Sequence, residues 1–242
     1  MIGILAFVTL WQAAQPAAGT PFISEDIACA PISLSAPPAP TMRVVGGAEA
    51  GRFLFGPGEA LVVNAGSTHG VRTGQQYYVR RRVNDRFTPV TPDFQPISIH
   101  TAGWVTIVDV KETMAVARVT YACDGIDEGD YLEPFVAPAM PVASNNAAPD
   151  FAHPGRIVMA DERRQMGYPG LVMLLNRGSD HGIRAGQGIT LFRETLNGEG
   201  PAFTVGTATV VRVTPQLSMV RIDYARDAVH VGDLAAIHRI TQ

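Results

Sequence analysis

The chain has 242 residues, of which 46% are hydrophobic and 17% are charged, and its formal net charge is −3. This composition is typical of a folded protein with a packed core and argues against global disorder. The chain is slightly acidic and lacks the clustered positive charge that is typical of nucleic-acid-binding proteins. We therefore expect no nucleic acid among the partners. The 24 glycines and 18 prolines favour many turns between short strands.

The first nineteen residues have the pattern of a secretory signal peptide. An apolar run of about ten residues, Ile2 to Trp11, precedes small residues and an Ala17-Ala18-Gly19 cleavage pattern, although no basic residue comes before it. The run is about half as long as a bilayer span requires, so we expect no integral membrane span. The sequence predicts a cleaved signal at residues 1–19, with a buried N-terminal segment as the alternative. A Pro-rich segment is expected over residues 20–50.

The only two cysteines are Cys29 and Cys123. In an exported protein an even number of cysteines indicates a disulfide, which would tie the N-terminal segment to the first half of the chain. Two unrelated buried thiols are the alternative.

One twelve-residue stretch occurs twice. NAGSTHGVRTGQ, from Asn64 to Gln75, returns as NRGSDHGIRAGQ, from Asn176 to Gln187, with eight identical positions. The similarity extends outward, and we align residues 51–53 with residues 155–157, and Gly129-Asp130 with Gly232-Asp233. A period near one hundred residues indicates a duplicated domain rather than a solenoid.

Both copies have the pattern of strands and lack a helical period. Short apolar or alternating runs are separated by glycine-rich turns, which predicts an all-β protein with two tandem copies of a small β-barrel-like domain. We place the first domain at residues 51–133, a Pro/Ala-rich linker at 134–154 and the second domain at 155–242. The cluster Arg80-Arg81-Arg82 is interpreted as the solvated end of a strand.

The repeated loop contains serine and histidine two residues apart, at Ser67 and His69 and again at Ser179 and His181. A serine hydrolase needs a base that reaches the hydroxyl and a third group that orients the base. A tight Ser-x-His turn does not provide this, and no G-x-S-x-G elbow is present. Single loop histidines without further ligands do not indicate a metal site either. We therefore expect no enzyme activity and no cofactor, with a secreted hydrolase of unrecognised site as the alternative.

A structural role explains more of the repeated residues than catalysis or metal binding does. Three glycines recur, and Gly70 and Gly182 are predicted to adopt positive φ. Asn64 and Asn176 are expected to hydrogen-bond their own backbone two residues on, the serines to cap the loop, and Val71 and Ile183 to plug it against the core. If the exposed loop tips also bind something, the candidate residues are Ser67, Thr68, His69, Arg72, Ser179, Asp180, His181 and Arg184.

The motif N-x-G-S-x-H-G-[VI]-x-x-G, followed by an apolar strand pair and a final Gly-Asp, resembles a small β-domain of bacterial envelope proteins. It is similar to the C-terminal domain of the flagellar assembly protein T family and to modules that follow LysM domains in exported proteins. The resemblance covers residues 51–131 and 155–234. It implies an envelope-located, non-catalytic module and carries over no catalytic or ligand residues.

Together these observations predict a periplasmic or secreted envelope protein. Its expected function is to bind or assemble with a protein partner or peptidoglycan. A purely structural spacer is a further alternative, and the sequence leaves the oligomeric state open.

Overall fold

The structure is a computed structural model that describes residues 25–34, 36, 38–49, 51–83, 97–141, 147–160, 164–195 and 200–239. The predicted signal peptide at residues 1–19 lies outside these ranges. Apart from one five-residue helix and short 3₁₀ turns, the regular elements of the described residues are β-strands, so the all-β prediction is confirmed. No helix in these ranges is long and apolar enough to cross a membrane.

The first half of the described chain forms one antiparallel sheet with the strand order β2-β4-β7-β6-β5-β9, and β1 pairs with the far end of β6. A short ribbon of β3 and β8 lies beside it. The elements are α1 (Glu25–Cys29), β1 (Ile32–Leu34), β2 (Val44–Gly47), β3 (Leu54–Phe55), β4 (Ala60–Val63), β5 (Gln76–Val83), β6 (Ile97–Val110), β7 (Ala115–Ala122), β8 (Ile126–Asp127) and β9 (Tyr131–Pro134).

The second half forms a closed barrel with the strand order β10-β12-β15-β14-β13-β17, and a ribbon of β11 and β16 accompanies it. Closure results from the pairing of β10 with β17. The strands are β10 (Ala148–Ala160), β11 (Met166–Gly167), β12 (Val172–Leu175), β13 (Gly188–Glu194), β14 (Ala202–Val213), β15 (Ser218–Ala225), β16 (Val229–His230) and β17 (Leu234–Arg239). Strand β10 begins at Ala148, within the segment predicted as a linker.

The two halves share their strand order, and their hydrogen bonds show where equivalent segments begin. The backbone N–H of Arg43 donates to the side chain of Asn64 at 2.7 Å, and Arg156 donates to Asn176 in the same way at 2.7 Å. Arg43 and not Arg52 is therefore the counterpart of Arg156, which corrects the alignment of residues 51–53 with 155–157. Strand β2 lies before residue 51 and belongs to the first sheet.

Each half has its own apolar core, formed because alternate residues of its strands point inward. In β7 the buried positions alternate with more exposed ones, as in Ala115, Ala117 and Val119. The second core is built in the same way from residues such as Ile157, Met173 and Ile222. The alternation of apolar and polar residues in the sequence identifies the strand faces that point into the cores.

The N-terminal segment 25–34 packs against both halves, and we call it the wedge. Ala28 packs against Tyr78 and Trp104 of the first sheet. Ile27 and Ala30 belong to an apolar cluster contributed by the barrel, with Val158, Met159, Val172, Leu174, Val211, Leu217 and Met219. The predicted disulfide is formed between Cys29 and Cys123, whose Cα atoms are 5.5 Å apart, and it joins the wedge to the first sheet.

The interpretation of the arginine cluster as a solvated strand end is wrong for two of its three members. Arg80 is only 5% exposed and forms an ion pair with Glu133 at 2.8 Å. Arg81 is half-buried and pairs with Asp130 at 2.9 Å. Only Arg82 is exposed. Strand β5 is paired on both sides, by β6 and β9, and the consecutive residues Arg80 and Arg81 both find carboxylate partners within the structure.

Candidate functional site

The two repeated loops adopt the same backbone conformation. Each contains a 3₁₀ turn, at Ser67–His69 and at Ser179–His181. Each turn ends at a glycine in the left-handed region, with φ of 77° at Gly70 and 75° at Gly182. The prediction of positive φ at both positions is confirmed.

The histidine of each loop hydrogen-bonds the loop's own backbone. Nδ1 of His69 accepts the N–H of Gly66 at 3.4 Å, and Nδ1 of His181 accepts the N–H of Gly178 at 3.3 Å. This contact closes the first turn on itself, in the manner of a capping box. The repeated histidine therefore has a structural role, which was not predicted from the sequence.

The first glycine of each loop is required by a close approach of two backbones. A Cβ on Gly66 would lie 2.2 Å from the carbonyl oxygen of Lys111, and one on Gly178 would lie 2.2 Å from that of Thr214. The following residue uses the same carbonyl, since the N–H of Ser67 donates to Lys111 at 2.9 Å. The loop is therefore seated on the hairpin between β6 and β7, or between β14 and β15 in the barrel.

The asparagines do not act as predicted. Instead of bonding their own backbone two residues on, Asn64 and Asn176 accept the N–H of Arg43 and Arg156, the residues described above. The asparagine thus connects the loop to the neighbouring strand. The asparagine and its arginine partner are about twenty residues apart, so a local sequence pattern does not predict this contact.

The remaining loop residues behave largely as expected. Val71 and Ile183 are each 2% exposed and plug their loops into the two cores. The side-chain oxygen of Gln75 accepts the N–H of Arg72 at 2.8 Å, and Gln187 does the same for Arg184 at 2.7 Å. The serines differ from expectation, because the 3₁₀ turns have no side-chain cap from Ser67 or Ser179 and begin at glycine.

All eight candidate binding residues are exposed, and they form two separate loop tips. In the first tip, Thr68 Oγ1 donates to the carbonyl oxygen of Glu112 at 2.7 Å and lies 3.1 Å from His69 Nδ1. Asp180 occupies the equivalent position in the second tip. Among the described residues its carboxylate has no hydrogen-bond or ion-pair partner, so the second tip presents a free negative charge.

The loops show no ready-made reactive pair in the described part of the chain. The Nδ1 atoms of His69 and His181 contact backbone N–H groups rather than the hydroxyls of Ser67 and Ser179. Within the described residues no group of three or more His, Cys, Asp or Glu side chains is arranged to hold a metal ion.

A buried ion pair supports the final Gly-Asp turn in both halves. Asp233 is 4% exposed, and Arg193 contacts it with two nitrogens at 2.6 and 2.8 Å. Asp130 is equally buried and is held by Arg81. The turn was predicted from the sequence, but the ion pair between the arginine and the aspartate was not. Both arginines follow the repeated glutamine by six residues, and this repetition could have indicated the ion pair.

The pKa shifts in these two pairs have different leading causes. Burial raises the pKa of Asp130, and the hydrogen bond from the Asp127 backbone and the charge of Arg81 only partly oppose that rise. The hydrogen bond to Asp233 raises the pKa of Arg193, with burial acting in the opposite direction. The two carboxylates are buried and the two arginines are partly exposed, and each pair positions the final Gly-Asp turn.

No protein-family model matches the sequence, and no curated protein matches it.

Proposed function

We propose that this protein is a non-catalytic module of the bacterial cell envelope that binds a protein partner or peptidoglycan through its two loop tips. The observation that carries the proposal is that the two loops share one backbone geometry. Each loop is hydrogen-bonded to the hairpin beneath it and has an exposed tip. Loops on a rigid scaffold are where binding residues are most often found.

Export is supported by the disulfide between Cys29 and Cys123. Structural disulfides persist in oxidising compartments such as the periplasm and are rare in reducing ones. The signal-peptide pattern at residues 1–19 and the resemblance of the loop motif to envelope domains point in the same direction. A periplasmic or secreted location is therefore part of the proposal.

The rigidity of the loops supports binding rather than a purely structural spacer. His69 and Gln75 already accept backbone N–H groups of the first loop, and Asn64 ties the loop to the N–H of Arg43, so the tip loses little conformational freedom on binding. The tips differ chemically, since Asp180 carries a carboxylate where Thr68 carries a hydroxyl bound to the backbone. We expect the second tip to favour a partner with a cation or several hydrogen-bond donors.

Site-specific photocrosslinking in the native host tests the proposal. A photoreactive amino acid is placed at residue 68 or 180, and matched controls carry it at the exposed positions 82 and 226, one in each half. We expect the two loop positions to give discrete crosslinks to a partner protein or to wall fragments, and the controls to give none. Equal crosslinking at all four positions, or none at the loops, would contradict the proposal.

A further inference from the structure

A cavity lies where the wedge, the first sheet and the barrel meet, away from both loop tips. Its volume is about 400 Å³, within the range of small-molecule sites. Apolar side chains from three separate parts of the chain line it, including Ile27 and Ile32 of the wedge, Val136 after β9, and Val211 of β14.

The charged residues that line the cavity are Arg80, Arg212 and Glu133. Two positive charges and one negative charge leave a net charge of +1 at the lining. Glu133 is committed to Arg80 by the ion pair at 2.8 Å. Arg212 is exposed, and among the described residues no carboxylate pairs with it.

Arg80 is itself incompletely satisfied. Its side chain is 6% exposed, it lies over the ring of Tyr78 at 4.3 Å, and its buried Nε has no hydrogen-bond partner within the described chain. Burial lowers the pKa of Arg80, Glu133 opposes that effect, and the charge of Arg212 adds to it. An additional negative charge nearby would stabilise both guanidinium groups.

We infer that this cavity binds a small apolar monocarboxylate, with Arg212 contacting the carboxylate and Arg80 adding a fixed positive charge behind it. A planar guanidinium matches a carboxylate through two parallel hydrogen bonds, which favours this group over a point anion. A single negative charge balances the net +1 of the lining, whereas a dianion would place excess charge beside Glu133. The apolar wall accommodates the body of the ligand.

Two natural sources share this chemistry, a fatty acid and the free C-terminus of a short apolar peptide. Octanoate and N-acetyl-alanyl-leucine serve as the two probes, and the corresponding uncharged amides serve as their controls. Binding to the full-length exported protein is measured by chemical-shift titration in NMR. We expect at least one acid to bind at least about tenfold more tightly than its amide, because the charged hydrogen bonds are lost in the amide. The acid that binds more tightly identifies the source.

Two variants and one control variant make the inference specific. Arg212→Gln removes the contacting charge at an exposed position, and Arg226→Gln makes the same charge change at an exposed position that does not line the cavity. Ala139→Trp places a bulky ring on the wall. We expect Arg212→Gln to weaken acid binding about tenfold or more, Ala139→Trp to abolish it, and Arg226→Gln to bind as wild type. Unchanged melting temperatures will show that the variants fold.

Three results would overturn the inference: equal binding of acid and amide, equal binding by Arg212→Gln and Arg226→Gln, or no binding of either acid at millimolar concentration. The inference goes beyond the proposed function, because it uses no residue of the loop tips. Its failure would leave the crosslinking result unaffected.

Discussion

The glycines of the repeated loop are required for two different physical reasons. Gly70 and Gly182 hold positive φ, which costs an alanine about 1 kcal/mol or more. Gly66 and Gly178 leave no space for a Cβ against a backbone oxygen that cannot move independently. The same residue type at neighbouring positions is therefore expected to respond differently to substitution.

We predict that Gly70→Ala lowers the free energy of unfolding by about 1 kcal/mol and that Gly66→Ala lowers it by about 2 kcal/mol. Chemical denaturation measures both. Ser67→Ala is the matched control, because Ser67 is exposed and its hydroxyl caps nothing, and its effect should stay within about 0.5 kcal/mol. Equal effects of all three substitutions would show that the loop geometry does not depend on glycine.

The ion pair at Arg193 offers a second comparison within one site. The side chain of Asp233 is 3% exposed and that of Asp227 is 60% exposed, and both carboxylates contact the same guanidinium. We predict that Asp233→Ala lowers the free energy of unfolding by about 3 kcal/mol, because a partly buried cation loses its main partner. Asp227→Ala should cost less than about 1 kcal/mol, since water screens that pair. Similar losses in urea titrations of the two variants would contradict the importance of burial.

Individual strands and turns were predictable where a local pattern determines them. Alternation identified the strands, and the recurring glycines identified the left-handed ends of the 3₁₀ turns. The partner of Asn64 was not predictable, because Arg43 is distant in sequence and the contact depends on sheet register. The pairing of Arg81 with Asp130 was not predicted either, although the repeated arginine could have indicated it. The disulfide predicted that the N-terminal segment is tied to the first half, but the packing of this segment on the barrel was not predicted. Elements α1 and β1 are short, and their burial depends on partners from both halves of the chain.

The disulfide holds the wedge in place and allows a prediction about that element. Cys29 and Cys123 are 94 residues apart, and closing a loop of that length restricts the unfolded chain by an amount worth about 4–5 kcal/mol in the chain-entropy model. We predict that Cys29→Ser with Cys123→Ser lowers the free energy of unfolding by about 2–4 kcal/mol, because measured effects fall below the model.

Hydrogen exchange of the same double variant locates the effect. Backbone amides of residues 25–34 should lose protection more than those of β13, a barrel strand that contributes no residue to the apolar cluster packed on the wedge. Uniform loss of protection across the chain would show that the disulfide does not act through the wedge.

The two halves of the molecule are coupled through shared packing on the wedge. Ala28 contacts the first sheet, whereas Ile27 belongs to the apolar cluster of the barrel and is 7% exposed. A segment that is bound on both sides transmits destabilisation from one half to the other. We therefore expect the halves to unfold together.

We predict that Ile27→Ala lowers the free energy of unfolding by about 2–3 kcal/mol and shifts both halves equally. The chain has two tryptophans, Trp11 in the predicted signal and Trp104 in the first sheet, so tryptophan fluorescence of the processed protein reports the first half. Circular dichroism reports both halves. The two thermal transitions should coincide, and exposed Phe53→Ala is the control. A fluorescence transition that does not move in Ile27→Ala would show that the halves are independent.

The position of the wedge also has a consequence for the order in which the protein can be completed during synthesis. Helix α1 leaves the ribosome before the strands of either half, yet Leu217 and Met219, which pack in the same cluster as Ile27, are made much later. The apolar cluster around Ile27 is therefore complete only after nearly two hundred more residues have been made. Its partner Cys123 arrives much sooner, near the middle of the chain. Oxidation can thus anchor the wedge to the first sheet early and keep it near the position where the barrel later forms, which shortens the search for its final contacts.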